Sequence, residues 1–322
     1  MLVYILRRLF QSLIVLAIIV VVTFTLPYFQ PQGILAPAYA TLGQRSTPTA
    51  IRTFALQHGL AGSYLTRLWQ YVNQLVFHLN LGHSFKQNMS VWQIISLYVP
   101  RTIWLALTAL ILTILIAIPL GVIQATRRNT TVDYVATGSA FVLYAMPSFL
   151  LCILVIDAFG FHWPHLPVSP PSGVAPWALF TDPKGFILPV ASLTLLSVAA
   201  LSRFMRGAVL EVLVQDYIRT ARAKGCNNRR VLWRHAFRNA LGPIITILGL
   251  SIPGLFGGAL IIEDVFNYAG LGVQTVNAAI NFDVPTVLGI TLLVAIFTLL
   301  GNLLADVALG LVNPRIRIEG TK

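Results

Sequence analysis

The side chains best suited to act on another molecule are the cations gathered between Arg203 and Pro243. This stretch holds nine Lys or Arg residues against two acids, and the chain on either side of it is strongly apolar. The cations are Arg203, Arg206, Arg219, Arg222, Lys224, Arg229, Arg230, Arg234 and Arg238. Such a stretch can bind an acidic protein surface, or it can serve only to fix the orientation of the chain in a membrane.

Catalytic motifs are absent from the sequence. It contains no Gly-x-x-x-x-Gly-Lys-Ser/Thr phosphate loop, no His-Glu-x-x-His and no Cys-x-x-Cys. The close histidine pair, His162 and His165, encloses Pro164, which disrupts the helical spacing that two ligands on one face would need. We therefore expect no catalytic residue, no metal and no cofactor bound by this chain itself.

The cationic stretch reads as two helices around a glycine. Helix-compatible residues run to Lys224, whose charge suits a helix C-terminus, and Gly225 suits the left-handed position that follows. Asn227 or Asn228 can cap a second helix, which Pro243 would close. The second helix would present a cationic stripe at a spacing of four, formed by Arg230, Arg234 and Arg238.

Composition places these helices beside a membrane. Hydrophobic residues make up 57% of the chain and charged residues 10%, whereas soluble domains carry about 25% charged residues. The net charge of +12 would suggest nucleic acid in a soluble chain, but basic residues also collect on the cytoplasmic loops of membrane proteins. We expect an integral membrane protein that binds no nucleic acid, with Cys152 and Cys226 unpaired.

Six apolar stretches are long enough to cross a membrane core of about 30 Å. They are approximately Leu9–Phe29, Thr102–Ile123, Tyr134–Phe159, Phe186–Ser202, Pro243–Ile262 and Val284–Val312. A cleaved signal peptide ending at Ala38-Tyr39-Ala40 is the alternative for the first, but its apolar run is longer than usual and that site lies too far beyond it. The predicted fold class is an all-α membrane protein.

The predicted organisation has three parts. Residues 1–29 form the N-terminus and first helix, residues 30–101 an extracytoplasmic segment, and residues 102–322 a five-helix core with the cytoplasmic loop 203–242. Mixed polar and apolar residues over Ile51–Leu79 predict one or two amphipathic helices in the extracytoplasmic segment. That segment is expected to form a small external cap.

Charge orients the predicted bundle. The side that bears both termini and the cationic stretch carries sixteen Lys or Arg residues, whereas the other side carries only Lys184 once the long segment is set aside. Long segments cross regardless of charge, so this contrast predicts cytoplasmic termini. Acids near the spans are few: Asp157 and Glu263 are expected to be solvated, and Asp306 to serve in packing or at the interface.

The cationic stretch resembles the signature loop of ABC importer permeases of the dipeptide/oligopeptide class. The resemblance lies in Asp-Tyr-Ile-Arg-Thr-Ala-Arg-Ala-Lys-Gly over 216–225 and Arg-His-Ala-Phe-Arg-Asn-Ala over 234–240. The general importer pattern of Glu-Ala-Ala, three residues and Gly survives only at Ala221 and Gly225, and the remainder resembles the peptide branch. Further matches are the Arg-rich start, Leu81–Ser84, Thr137–Ser139, Met146–Phe149, Glu263–Phe266, Gly270–Gly272, Asn302–Asp306 and Asn313–Arg317.

Two positions depart from the resemblance, and one feature refines it. Ala269 stands where a proline is common, and Asn313 where an aspartate is common. The long segment after the first span resembles the B-type subunit of these importers rather than its shorter-looped partner.

The resemblance implies a type I importer permease in a bacterial inner membrane. Such a subunit pairs with a second, homologous permease and with two cytosolic ATPases that bind ATP and Mg, while an extracytoplasmic binding protein delivers peptides. The cytoplasmic loop would supply a short coupling helix that sits against an ATPase. The expected coupling residues are Asp216, Tyr217, Arg219, Thr220, Ala221, Arg222, Ala223, Lys224 and Gly225.

Two further sets of residues are candidates for contact with transported or delivering molecules. The possible translocation pathway is lined by Met146, Pro147, Phe149, Ser251, Gly254 and Gly258. The possible docking site of the binding protein is formed by Gly82, His83 and Ser84. The alternatives are ordinary helix packing for the first set and a structural cap for the second.

Two other functional classes make different demands on the sequence. An ion-driven secondary transporter would need inverted repeats and paired intramembrane acids, and neither is visible. An intramembrane enzyme would need a nucleophile–base pair or metal ligands within spans, and these are missing too. The cargo is not specified by the sequence, because similar permeases also carry nickel, glutathione and oligosaccharides.

Overall fold

The computed structural model describes residues 2–29, 33–43, 45–60, 62–162, 165–170 and 183–312, with side chains described except at 2–9, 250–258 and 304–312. The regular elements in this part of the chain are helices, and strand-like pairing is limited to one bridge between His83 and Ser90. The all-α prediction is therefore confirmed.

The helices follow the predicted order of spans and add several shorter elements. They are α1 (Leu2–Thr25), α2 (Ala36–Leu42), α3 (Pro48–Gln57), α4 (Tyr64–His78), α5 (Val91–Thr126), α6 (Thr131–Ala145), α7 (Ser148–Val155), α8 (Ile187–Leu213), α9 (Asp216–Ala223), α10 (Asn228–Arg230), α11 (Arg238–Val265), α12 (Leu271–Ile280) and α13 (Val284–Val312). The π-helical segments Ile156–His162 and Val231–Phe237 extend α7 and join α10 to α11.

Four described helices are long and apolar enough to cross a membrane, and α6 with α7 makes a fifth if the bent pair counts as one span. The four are Phe10–Phe29, Val91–Thr126, Lys184–Leu213 and Val284–Leu303. The axes of α6 and α7 differ by 110°, so the span predicted as Tyr134–Phe159 is not one straight helix. Pro147 lacks a backbone N–H and disfavours helical geometry at Met146, which places the break there.

The expectation that Pro243 closes a helix is wrong. The chain stays helical from Asn228 to Val265, and Pro243 lies in the second turn of α11. The π-helical segment just before α11 has a wider turn than an α-helix, and such local adjustments let membrane helices accommodate proline. The π-helical geometry also alters the regular spacing of four expected for the arginine stripe.

The chain divides into two compact units. The first comprises Met1–Thr102 with Ala269–Leu299. One apolar cluster there includes Val20, Leu81, Val91, Ile95 and Ile290. In the same unit the Thr102 hydroxyl accepts a 2.8 Å hydrogen bond from the backbone N–H of Leu271, which caps the start of α12.

The segment between α1 and α5 has a small core of its own within that unit. Ala38, Ile51, Phe54, Ala55 and Leu60 form this core. The predicted amphipathic helices appear as α3 and α4, and both begin at a hydroxyl N-cap. Burial raises the pKa of the Tyr71 hydroxyl in α4 to about 12, so this group is uncharged near neutral pH.

The second unit comprises Ile103–Tyr268 with Leu300–Lys322. Within it, Gly121 of α5 lies against α8, where a Cβ added to Gly121 would lie 2.6 Å from both the Met205 Cβ and the Ser202 carbonyl oxygen. Only glycine fits this contact. Glu263, expected to be solvated, is instead fully buried at the end of α11, because that end folds beneath Phe266 and Tyr268.

Candidate functional site

The segment between α8 and α11, called the α9 loop below, folds compactly at the end of α8. Two residues separate α8 from α9, and α9 ends in a Schellman turn in which Gly225 N–H donates to Arg222 and Cys226 N–H donates to Ala221. Gly225 adopts a φ of 79°, as its position in the sequence predicts. Asn227 caps the next helix through a 2.8 Å bond from the Arg230 N–H, which also confirms the expected cap.

The α9 loop has its own apolar core. Ile218 and Ala221 of α9 pack against Val231 and Ala236 of the following π-helical segment. The last turn of α8 and Cys226 close this cluster. Burial of these side chains fixes α9 to the end of α8, so the two helices can be displaced together.

Most of the expected coupling residues lie on the outer surface of the α9 loop. The exposed ones are Asp216, Tyr217, Arg219, Thr220, Arg222, Ala223, Lys224 and Gly225. Ala221 differs, because only 8% of it is accessible. Its methyl group belongs to the internal core of the loop and is not offered to a partner.

Sequence reasoning did not single out two aromatic and apolar contributors to this site. Ile218 is fully buried and anchors α9 from beneath. Trp233 is half exposed beside Arg229 and Arg230, and its ring lies 5.1 Å from that of Phe237. An exposed tryptophan among arginines is typical of residues that dominate binding energy at protein interfaces, and this composition was the available signal.

An ion pair between a buried aspartate and a partly buried arginine joins the start of α6 to α8. Arg206 donates from Nε and Nη2 to the two carboxylate oxygens of Asp133, at 2.8 and 2.9 Å. Asp133 also accepts from the Thr137 hydroxyl and from the Asn129 N–H. Its carboxylate therefore accepts from four donors. The two bonds from Arg206 form a bidentate arginine–carboxylate contact, which is among the strongest side-chain contacts in proteins. The partners lie 73 positions apart, so no local pattern reveals the pair.

A second arginine of α8 also contacts α6. The guanidinium of Arg203 lies 3.9 Å from the ring centre of Phe141 and 4.8 Å from that of Tyr144. Cation–π contacts of this kind contribute about 0.5–2 kcal/mol. Arg203 and Arg206, counted with the cytoplasmic loop on sequence grounds, thus lie within α8 and hold α6 against it.

Three of the six pathway candidates lie at the bend between α6 and α7. Met146 is partly buried against the apolar cluster of the second unit, whereas Pro147 is exposed and 52% of Phe149 is accessible. Ser251, Gly254 and Gly258 fall within α11, but their side-chain surroundings lie outside the described residues.

The docking candidates occupy a loop that is firmly held. The Ser84 hydroxyl donates to the carboxylate of Asp283, which also accepts from the Phe85 N–H and the Thr286 hydroxyl. Ser84 is buried, and Gly82 adopts a φ of 90°. Of the three docking candidates only His83 has an exposed side chain, so Ser84 acts as a fastening of this loop rather than as a contact surface.

Comparison with known proteins identifies the family of this chain. Residues 117–318 match the family described as binding-protein-dependent transport system inner membrane component, and residues 1–106 match the N-terminal model of that system. The chain belongs to this permease family. It is a multi-pass membrane protein, and the α9 loop and the α6–α8 ion pair both lie within residues 117–318.

Individual relatives are similar over most of their length. The oligopeptide transport system permease protein AppB of Bacillus subtilis is 32% identical over 97% of this chain and 98% of its own. The dipeptide transport system permease protein DppB of Escherichia coli is 37% identical over 79% of this chain and 80% of its own. These relatives confirm the resemblance to the dipeptide/oligopeptide branch of ABC importer permeases.

A solved structure agrees on the fold. A chain of the MetNI methionine ABC transporter in an inward-facing conformation matches 69% of this chain and 98% of its own, with a TM-score of 0.56 and 15% identity. At that identity the match concerns the helical architecture alone. The expected importer permease fold is confirmed.

Proposed function

We propose that this permease is one of two homologous subunits that form the translocation pathway of an ATP-driven importer for di- and oligopeptides. The α9 loop carries this assignment, because it packs on an apolar core of its own and presents a cationic surface on which Tyr217 and Trp233 are exposed. The named relatives support peptides as the cargo. The ion-driven alternative gains no support from the family or from the described helices.

The division of labour follows from what the chain contains. Two cytosolic ATPases bind ATP and Mg and hydrolyse the nucleotide, since the permease has no phosphate loop. A binding protein on the opposite side delivers the peptide. Both termini and the α9 loop face the cytoplasm, as the distribution of basic residues favours.

The geometry suggests how ATPase closure reaches the membrane. A push on α9 passes to the end of α8 through the Ile218 core. From α8 it passes to α6 through the Asp133–Arg206 pair. The bend at Met146–Pro147 lets α6 move without carrying α7 rigidly with it. Packed helices with one break of this kind support rigid-body switching.

Charge reversal on the α9 loop tests the assignment. Arg222→Glu places an acid on the exposed face of α9, whereas Arg128→Glu makes the same change on an exposed cytoplasmic turn outside the α9 loop. We expect Arg222→Glu to weaken ATPase association by about tenfold, corresponding to 1.4 kcal/mol. Arg128→Glu should leave association unchanged.

The assay is co-purification from membranes with the tagged chain, followed by ATP hydrolysis and peptide uptake in vesicles. The proposal is supported if a second permease and ATPases are recovered with the wild-type chain. It also requires that the ATPases are lost with Arg222→Glu but not with Arg128→Glu. A wild-type chain that purifies without any ATPase would refute the proposed function. Equal effects of the two variants would refute only the role of the α9 surface.

A further inference from the structure

The external helix α4 exposes an apolar face that no described residue covers. Leu65, Trp69, Val76 and Phe77 are 73%, 66%, 59% and 72% accessible. Leu65, Trp69 and Val76 fall within about 40° of one another around a helix of 3.6 residues per turn. An apolar patch of this kind on a water-exposed surface marks a site of interaction.

The polar arc of α4 consists of the exposed Gln70 and Gln74, which lie about 100° or more around the helix from Leu65, Trp69 and Val76, and Phe77 lies between this arc and the apolar face. Tyr71 and Leu75 pack against the apolar cluster of the first unit. The apolar surface of α4 therefore extends beyond the part that the described residues cover, a pattern typical of helices that lie in a membrane interface.

The position of α4 places this face at the boundary of the membrane. The Tyr64 hydroxyl hydrogen-bonds that of Thr25, the last residue of α1, at 2.8 Å. The ring of Phe24 lies 5.8 Å from that of Tyr64 and 5.7 Å from that of Tyr71. Tyr64 and Tyr71, two turns apart on α4, therefore both lie against the last turn of α1.

The exposed surface of α1 continues toward the face of α4. Leu13, Ile18, Val22 and Leu26, all within the span Phe10–Phe29, are about half or more accessible. Lipid covers such a surface on a spanning helix. The contacts at Thr25 and Phe24 therefore hold α4 next to a surface that is already apolar.

Charge points the same way. α4 contains no carboxylate, and its cation, Arg67, is engaged with the carbonyl of Gly59 and the hydroxyl of Tyr28. Trp69 has the amphipathic ring that concentrates at lipid headgroups. A soluble partner protein would more commonly meet a face with polar groups at its rim.

We propose that the apolar face of α4 rests on the phospholipid acyl chains of the leaflet opposite the cytoplasm, as an interfacial helix in addition to the spanning helices. Its polar arc then faces water, and its packed arc holds the external segment to α1. This inference does not depend on the cargo or on ATP.

Spin labels on the full chain test the proposal directly. Cys152 and Cys226 are first replaced by serine, and single cysteines are introduced as L65C, W69C or V76C. The chain, with any subunits that accompany it, is placed in vesicles of phosphatidylethanolamine and phosphatidylglycerol. Oxygen, which partitions into lipid, and a water-soluble nickel chelate are then used as relaxation agents.

Matched labels on the polar arc, Q70C and Q74C, serve as controls. We expect oxygen to relax labels at 65, 69 and 76 several-fold more than the nickel chelate does, and the order to reverse at 70 and 74. High nickel accessibility at all five positions would overturn the proposal, because the face would then lie in water. Protection from both agents at 65, 69 and 76 would also overturn it, because another protein would then cover the face. Variants are compared only when they elute as the cysteine-free chain does.

Discussion

Breaking the Asp133–Arg206 pair should destabilise the permease by an amount that depends on which partner is removed. The Asp133 side chain is 3% accessible, whereas that of Arg206 is 26% accessible. Arg206→Met leaves a buried carboxylate with only Thr137 and the Asn129 N–H as donors. Removing one partner of a buried pair costs about 3–5 kcal/mol, and we expect this variant to fall in that range.

Asp133→Asn should cost less. The amide keeps an oxygen for the Asn129 N–H, and the arginine left behind can turn toward water through its accessible side. We expect about 1–3 kcal/mol, the scale of a lost hydrogen bond to a charged group. The double variant should cost about 2 kcal/mol less than the sum of the two single variants, since residues in direct contact are strongly coupled.

Equilibrium unfolding of the purified chain in mixed micelles with increasing sodium dodecyl sulfate measures these free energies. The four chains of the cycle are the wild type, the two single variants and the double variant. The reasoning fails if Asp133→Asn costs more than Arg206→Met. It also fails if the single effects add to within about 0.5 kcal/mol, the additivity expected of independent sites.

Two further predictions concern close packing and the external loop. Gly121→Ala should destabilise the chain by about 1–3 kcal/mol, because its Cβ meets Met205 and backbone, whereas Gly138→Ala should not, since the space there is open; thermal unfolding that ranks the two alike would contradict this. Asp283→Ala should release the loop at 82–90 and speed its cleavage by an added protease, while Asp264→Ala, at an exposed acid, should leave cleavage unchanged.

The local signals in the cytoplasmic loop were sufficient to predict its turns. Gly225 and Asn227 act through one or two backbone groups of their immediate neighbours, so their roles follow from the sequence. The exposure of α9 could not be predicted in the same way. Ala221 looked like a contact surface, but its burial depends on Val231 and Ala236, which follow the turn.

Long-range features were beyond reach for a related reason. Nothing near Asp133 in the sequence indicates that this acid is buried, and Arg206 belongs by sequence to the cationic stretch from Arg203 to Pro243. Their pairing depends on how α6 lies against α8. The break before Pro147 and the continuity through Pro243 show that a proline alone does not decide whether a helix ends. The geometry of the preceding turn decides it.

The bend between α6 and α7 also sets a condition on hydration. α7 begins at Ser148, its N-cap Pro147 offers no side-chain hydrogen bond, and the break separates the last carbonyls of α6 from the first amides of α7. Hydrocarbon offers no partner to such groups, and each one left unsatisfied there would cost several kcal/mol. Where the bent pair crosses hydrocarbon, water or another polypeptide must therefore supply these partners. The proline break thus imposes a need for polar contacts on an otherwise apolar pair of helices.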